Sequence, residues 1–255
     1  MTRQTFLTAL AAFSFIAAPA IAQDGGFDHT HAAFTAVLRS QVKNEKVNYA
    51  ALKASPDALG GYLASLASVK EVAFNGWGKN QRLTFLINLY NAATLKLVVD
   101  HYPVKSIKDI GGFLKGPWSQ PVVHVFGQTV TLDHIEHDLI RARYDEPRAH
   151  FALVCGSIGC PPLRSEAYDA ARLNTQLDDQ GRTFLATNSK NRVDAKGGVL
   201  YLSPIFKWFT KDFTSKSGSV EKFIAPYFNE ADKAAILSGR LRIEYTEYDW
   251  SLNKQ

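Results

Sequence analysis

The chain is sparing with cysteine. It has two in 255 residues, Cys155 and Cys160. Any disulfide, working thiol or thiolate metal site therefore belongs to the one loop that holds both. Lysine and arginine form no dense run, although the formal charge is +5. This argues against a nucleic-acid surface. No segment beyond the N-terminus is long and apolar enough to span a bilayer. No cysteine follows the N-terminal apolar run, so a lipid anchor is not indicated. Internal repeats, low-complexity tracts and linkers are also lacking, which leaves one mixed domain as the simplest organisation.

The N-terminus itself reads as a secretory signal. Arg3 supplies a positive start, Phe6 to Ala18 is apolar without a charge, and Ala20-Ile21-Ala22 fits the small-x-small cleavage pattern. Residues 1–22 are expected to leave, giving a mature domain over 23–255. We expect an exported protein, periplasmic or secreted. An oxidising compartment permits a disulfide between close cysteines. Apolar content of 46% with 21% charged residues suits a globular domain with a sizeable core.

Apolar periodicity places helices near 27–42, 59–69 and 79–99, the last ending before Tyr102-Pro103. Val122–Phe126 and Thr129–Leu132 flank Gly127-Gln128 as a hairpin, and Val193-Asp194 and Val199–Leu202 form another. Asp133–Tyr144 reads as an amphipathic helix with Thr131 or Asp133 as its cap. His150–Cys155 reads as a buried strand. Ser165 is expected to cap a long helix to about Asn188, with Glu166 in its first turn. Short helices follow around Trp208–Phe209, 220–228 and 230–237, then a strand at 241–245. Helices first and a small, mainly antiparallel sheet later give the α+β class.

Three segments together resemble the domain-of-unknown-function 547 (DUF547) family. They are Arg82-Leu-Thr-Phe-Leu-Ile-Asn88-Leu-Tyr90-Asn91-Ala, Thr131-Leu-Asp-His-Ile-Glu136-His137-Asp-Leu-Ile-Arg141 and His150-Phe-Ala-Leu-Val-Cys155-Gly-Ser-Ile-Gly-Cys160-Pro-Pro-Leu. The tail Asp249-Trp250-Ser-Leu-Asn253 also looks like the family's ending. The resemblance implies a fold and a set of polar positions at Glu136, His137 and Arg141, not an activity. It supplies no histidine at His134.

Three chemistries stay open at the cysteine loop. A thiolate nucleophile needs a nearby base, a cation or a helix N-terminus. Cys160 is favoured for that role, because the expected helix after Pro161-Pro162 begins nearby and Gly159 permits close approach. Cys155 is the alternative, with backbone N–H groups of Gly156 and Ser157 as oxyanion donors. On an extended strand His150 would lie roughly 16 Å from Cys155. His137 is therefore the expected base, with Asn91 or Glu136 orienting it, by analogy of residue types with cysteine hydrolases and acyl transferases acting on peptide, amide or ester groups.

The second class is a non-catalytic envelope binding protein with a Cys155–Cys160 disulfide. Arg141, His150, Ser157 and Trp208 are its expected binding residues, and the His137/Arg141 face would meet an anionic partner. The third is a zinc protein built from Cys155, Cys160 and histidine. No cofactor is expected for the first two. A small molecule or peptide-like envelope group is the expected ligand.

Overall fold

The computed structural model describes residues 26–112 and 115–255. The expected signal, residues 1–22, lies outside them. Among the described residues no helix is long and apolar enough to cross a membrane.

The Lys79–His101 helix organises the first part of the chain. From Leu83 to Val99 every residue except Lys96 is buried. A helix apolar on all sides must be surrounded, and helices Tyr49–Ala54 and Asp57–Ala67 pack on it, with Ala32–Gln41 against the latter. Its polar exceptions carry structure. Asn88 donates to the Tyr168 carbonyl at 2.8 Å and accepts from the Tyr168 N–H at 3.0 Å. Asn91 does the same across the Cys155 approach, donating to the Ala152 carbonyl and accepting from the Val154 N–H, both at 2.9 Å. Buried amides satisfied at both ends replace the pairing a neighbouring strand would give.

The sheets are small and separate. Val42–Lys43 pairs with Lys46–Val47, and Pro121–Val125 pairs with Gln128–Thr131, both antiparallel. Val199–Leu202 pairs antiparallel with Arg192–Asp194 and parallel with Arg242–Tyr245. This is the expected α+β class, with one parallel pairing the sequence pattern did not reveal.

Two apolar clusters form. One surrounds the Lys79–His101 helix. The other gathers Phe151, Phe184, Phe206 and Phe213 between the Leu173–Leu185 helix, the three-stranded sheet and the helices after Ser203. Tyr248 packs against both.

Three local expectations are corrected. His150–Cys155 is not a strand: Ala149–Ala152 is a helical turn, followed by extended Leu153. A short apolar run fits either state, and here the Asn91 amide holds the extended part without a sheet. Ser165 caps no helix. The N–H groups of Ala167, Tyr168 and Asp169 are taken by side chains of Thr35, Asn88 and Gln176, so helical pairing starts only at Leu173. Finally, His134–Arg141 is wound as a π-helix, with Ala142 N–H reaching the His137 carbonyl at 3.0 Å. The wider turn shifts the inward stripe. Ile135, Leu139, Ile140 and Tyr144 are buried, whereas Ala142, which α-helical rotation would place on the face of Ile135 and Leu139, is exposed.

Candidate functional site

A cleft of about 190 Å³ opens where the two apolar clusters meet. Five of the expected site residues line it: Glu136, His137, His150, Cys155 and Cys160, with Trp208 at its edge as a sixth. The remaining three stand behind or beside it. Asn91 is 3% exposed and clamps the Ala152–Val154 backbone. Ser157 is 2% exposed, with its hydroxyl beside Cys155 Sγ at 3.3 Å. Arg141 faces an adjoining groove shared with His150 and Asp212.

Cys155 and Cys160 form a disulfide, with their α-carbons 6.2 Å apart. Gly156 makes the turn possible by adopting φ +82°, a left-handed conformation that costs glycine least. The C-terminal tail fixes the rest of the loop. Ile158 N–H donates to the Ser251 carbonyl and Gly159 N–H to the Asp249 carbonyl, each at 2.8 Å. Asn253 N–H returns to the Gly156 carbonyl at 2.9 Å, and the Asn253 side chain accepts from Tyr49 at 2.7 Å.

Gly159 leaves room for a ring rather than a ligand. A Cβ there would lie 2.8 Å from Tyr248. The Tyr248 hydroxyl reaches Cys160 Sγ at 3.2 Å and lies 3.4 Å from Cys155 Sγ, while Ser157 Oγ donates to it at 3.2 Å. Burial pushes this phenol well above its usual range, so it stays neutral and keeps its proton. Cys160 is buried and Cys155 is the more accessible of the pair. Because the following segment is not helical, no helix N-terminus activates Cys160.

The two cleft histidines differ in tautomer. Arg141 Nη1 sits 2.8 Å from His137 Nδ1. A guanidinium can only donate, so His137 Nδ1 accepts and the neutral ring carries its proton on Nε2. That nitrogen lies 3.8 Å from Asp133 Oδ1. In this state His137 offers the cleft a donor, not a base. His150 is arranged the other way. Its Nε2 donates to Asp212 Oδ2 at 2.7 Å, which leaves Nδ1 with the lone pair in the neutral ring. The ring stacks on Phe209, with centroids 4.1 Å apart.

Asp212 also takes Arg141 Nε at 2.6 Å and Nη2 at 3.2 Å. The bond from His150 and the two from Arg141 outweigh its desolvation and hold its carboxyl far below the usual range. Arg141 is thereby occupied by Asp212 and His137, which leaves it little to offer an anionic partner.

An aromatic group walls the other side. Tyr248 packs against Trp250 and Trp208 with centroids 4.4 and 4.8 Å apart, and Trp118 meets Trp250 edge-on at 5.8 Å. Trp208 is 48% exposed. Burial, and then the nearby Glu136 carboxylate, push the Tyr90 phenol well above its usual range. Sequence reasoning missed Asp133, Asp212, Tyr248 and Trp118. Asp133 had a signal in its place inside the quoted Thr131–Arg141 segment, and Tyr248 in its place directly before the quoted Asp249–Asn253 tail.

Among the described residues no group of three or more His, Cys, Asp or Glu side chains is placed to hold a metal ion. In the disulfide neither sulfur is a thiolate, the form that binds zinc.

These features define an α+β protein with a disulfide-floored aromatic cleft. Residues 74–185 match the family described as "Protein of unknown function, DUF547", and this stretch belongs to that family. The match runs from Phe74, just ahead of the core helix, to the end of the Leu173–Leu185 helix and includes the cysteine loop. Asp212, Tyr248 and Trp250 fall beyond it. No curated protein and no solved structure matches the chain.

Proposed function

We propose that this is a non-catalytic binding protein of the cell envelope, whose cleft takes a small ligand or the head group of a larger one. The observation that carries this reading is the disulfide. It joins the only two sulfur nucleophiles and forms the floor of the cleft. The tail and Tyr248 hold that floor in place, as expected of a pre-organised binding site. Export is part of the proposal. It is supported by the N-terminal signal pattern and by the fit of a disulfide to an oxidising compartment.

The test is alkylation of mature protein purified without reductant, followed by mass measurement. The expected result is no alkylation, native or denatured, until a reductant is added. Rapid native alkylation of either cysteine overturns the reading.

A second reading has one specific observation behind it. His150 is oriented by Asp212 and shares the cleft with Cys155, the more accessible sulfur. An external dithiol, itself oxidised to a disulfide, would free a thiol in the same cleft as a base. Ester or amide hydrolysis that appears only after mild reduction, and is lost in His150→Ala, would favour this reading over binding.

A further inference from the structure

We infer that the cleft selects an organic cation, an amine or quaternary ammonium group. This rests on the binding-cleft reading and names its ligand class. Among the described residues no Lys or Arg lines the cleft. The charged side chains that do are carboxylates, Asp133 and Glu136. Among the described residues Glu136 has no ion-pair partner within 4 Å, and it lies close enough to Tyr90 for its charge to help keep that phenol neutral. Asp133 accepts from Ser119 at 2.7 Å and lies near the His137 donor. An anion entering here would meet two carboxylates and, among the described residues, no lysine or arginine lining the cleft.

Much of the remaining lining is made of π faces. Trp118, Trp208, Tyr248 and Trp250 form a continuous aromatic group, and Trp208 is half exposed. Such faces attract cations, and tryptophan does so most strongly. The chain's own cations already use two rings of the cleft. Lys108 Nζ lies 3.8 Å over Trp250, and the Arg141 guanidinium lies 4.8 Å over Phe209. Neither residue lines the cleft, and Arg141 is neutralised by Asp212. The volume of about 190 Å³ is below the roughly 300–1,000 Å³ of sites that enclose a drug-sized molecule. It suits one head group, with the rest of the ligand outside.

Aromatic faces remove the need for a hydrogen-bond donor on the ligand, so a methylated ammonium is accommodated. A primary amine would in addition donate to Glu136.

Three probes of similar shape test the inference on the oxidised mature chain, by calorimetry and tryptophan fluorescence. They are choline, its uncharged carbon analogue 3,3-dimethylbutan-1-ol, and the anion 3,3-dimethylbutanoate. Choline is expected to bind at least about tenfold more tightly than the alcohol, a difference of about 1.4 kcal/mol, with no binding of the anion. Trp208→Ala should weaken both choline and the alcohol. Glu136→Gln, which keeps the size of the side chain and removes its charge, should weaken choline alone. If the alcohol or the anion binds as tightly as choline, the cation inference fails and the binding cleft survives. If no probe binds at millimolar concentration, both fail.

Discussion

The Tyr248 hydroxyl donates to Cys160 Sγ at 3.2 Å, while its ring lies where a side chain on Gly159 would be. One residue thus covers the disulfide and joins the aromatic wall. Its position depends on the absence of a single methyl group. Gly159→Ala should displace Tyr248 and destabilise the fold by about 1–3 kcal/mol, the usual cost of overpacking. It should also speed reduction of the disulfide by dithiothreitol. Urea unfolding and the reduction rate measure the two effects. Unchanged values for both would mean that Tyr248 does not guard the sulfurs.

The disulfide closes a short loop, so its contribution through chain entropy is modest. The double variant Cys155→Ser/Cys160→Ser should lose about 2 kcal/mol. Equilibrium urea unfolding checks this. A loss near zero would mean that the tail contacts at Ile158 and Gly159 alone hold the loop.

Asn91→Ala should be more damaging than its single side chain suggests. It orphans a buried carbonyl at Ala152 and a buried N–H at Val154. At about 1–3 kcal/mol for each of the two unsatisfied groups, a loss of roughly 2–6 kcal/mol is expected. Thermal unfolding of the variant measures it. A loss below about 1 kcal/mol would remove Asn91 from its clamping role.

Away from the cleft, His31 is buried with Nδ1 2.7 Å from the Tyr62 hydroxyl. Burial, partly offset by Asp28, pushes its pKa down from 6.5 to about 4. Between these values the unfolded chain binds a proton that the folded chain does not. The stability present above pH 6.5 should therefore fall as the pH drops toward about 4, by on the order of 3 kcal/mol. The parent protein and His31→Gln should be compared by urea unfolding above and below that window. The difference between them should narrow as the pH falls, and a constant difference would contradict the assignment.

The parts of this molecule legible in its sequence are those set by local pattern. The 3.6-residue rhythm from Leu83 to Val99 and the break at Pro103 located the core helix. Gly127-Gln128 located a hairpin, and the spacing of Cys155 and Cys160 located the floor of the cleft. What escaped depends on distant partners. His150–Cys155 looked like a strand because the Asn91 clamp lies 61 residues from Ala152. The helix expected after Ser165 starts late because side chains of Thr35 and Asn88 from two other segments, and of Gln176 from the helix itself, take its first N–H groups. Asp212 gave no sign of reaching His150, 62 residues away. The shifted face of the π-helix is invisible to a rule that assumes α-helical rotation.

The most direct test of the central claim is a titration of the indole N–H resonances of the oxidised protein with choline. There are four tryptophans. Trp118, Trp208 and Trp250 line the cleft, whereas Trp77 packs among Phe27, His29, Phe74 and Phe85 and serves as an internal control. A pre-organised binding cleft requires saturable shifts of the first three with Trp77 unmoved and the disulfide intact. Shifts that appear only after the disulfide is reduced, or that move Trp77 equally, would contradict it.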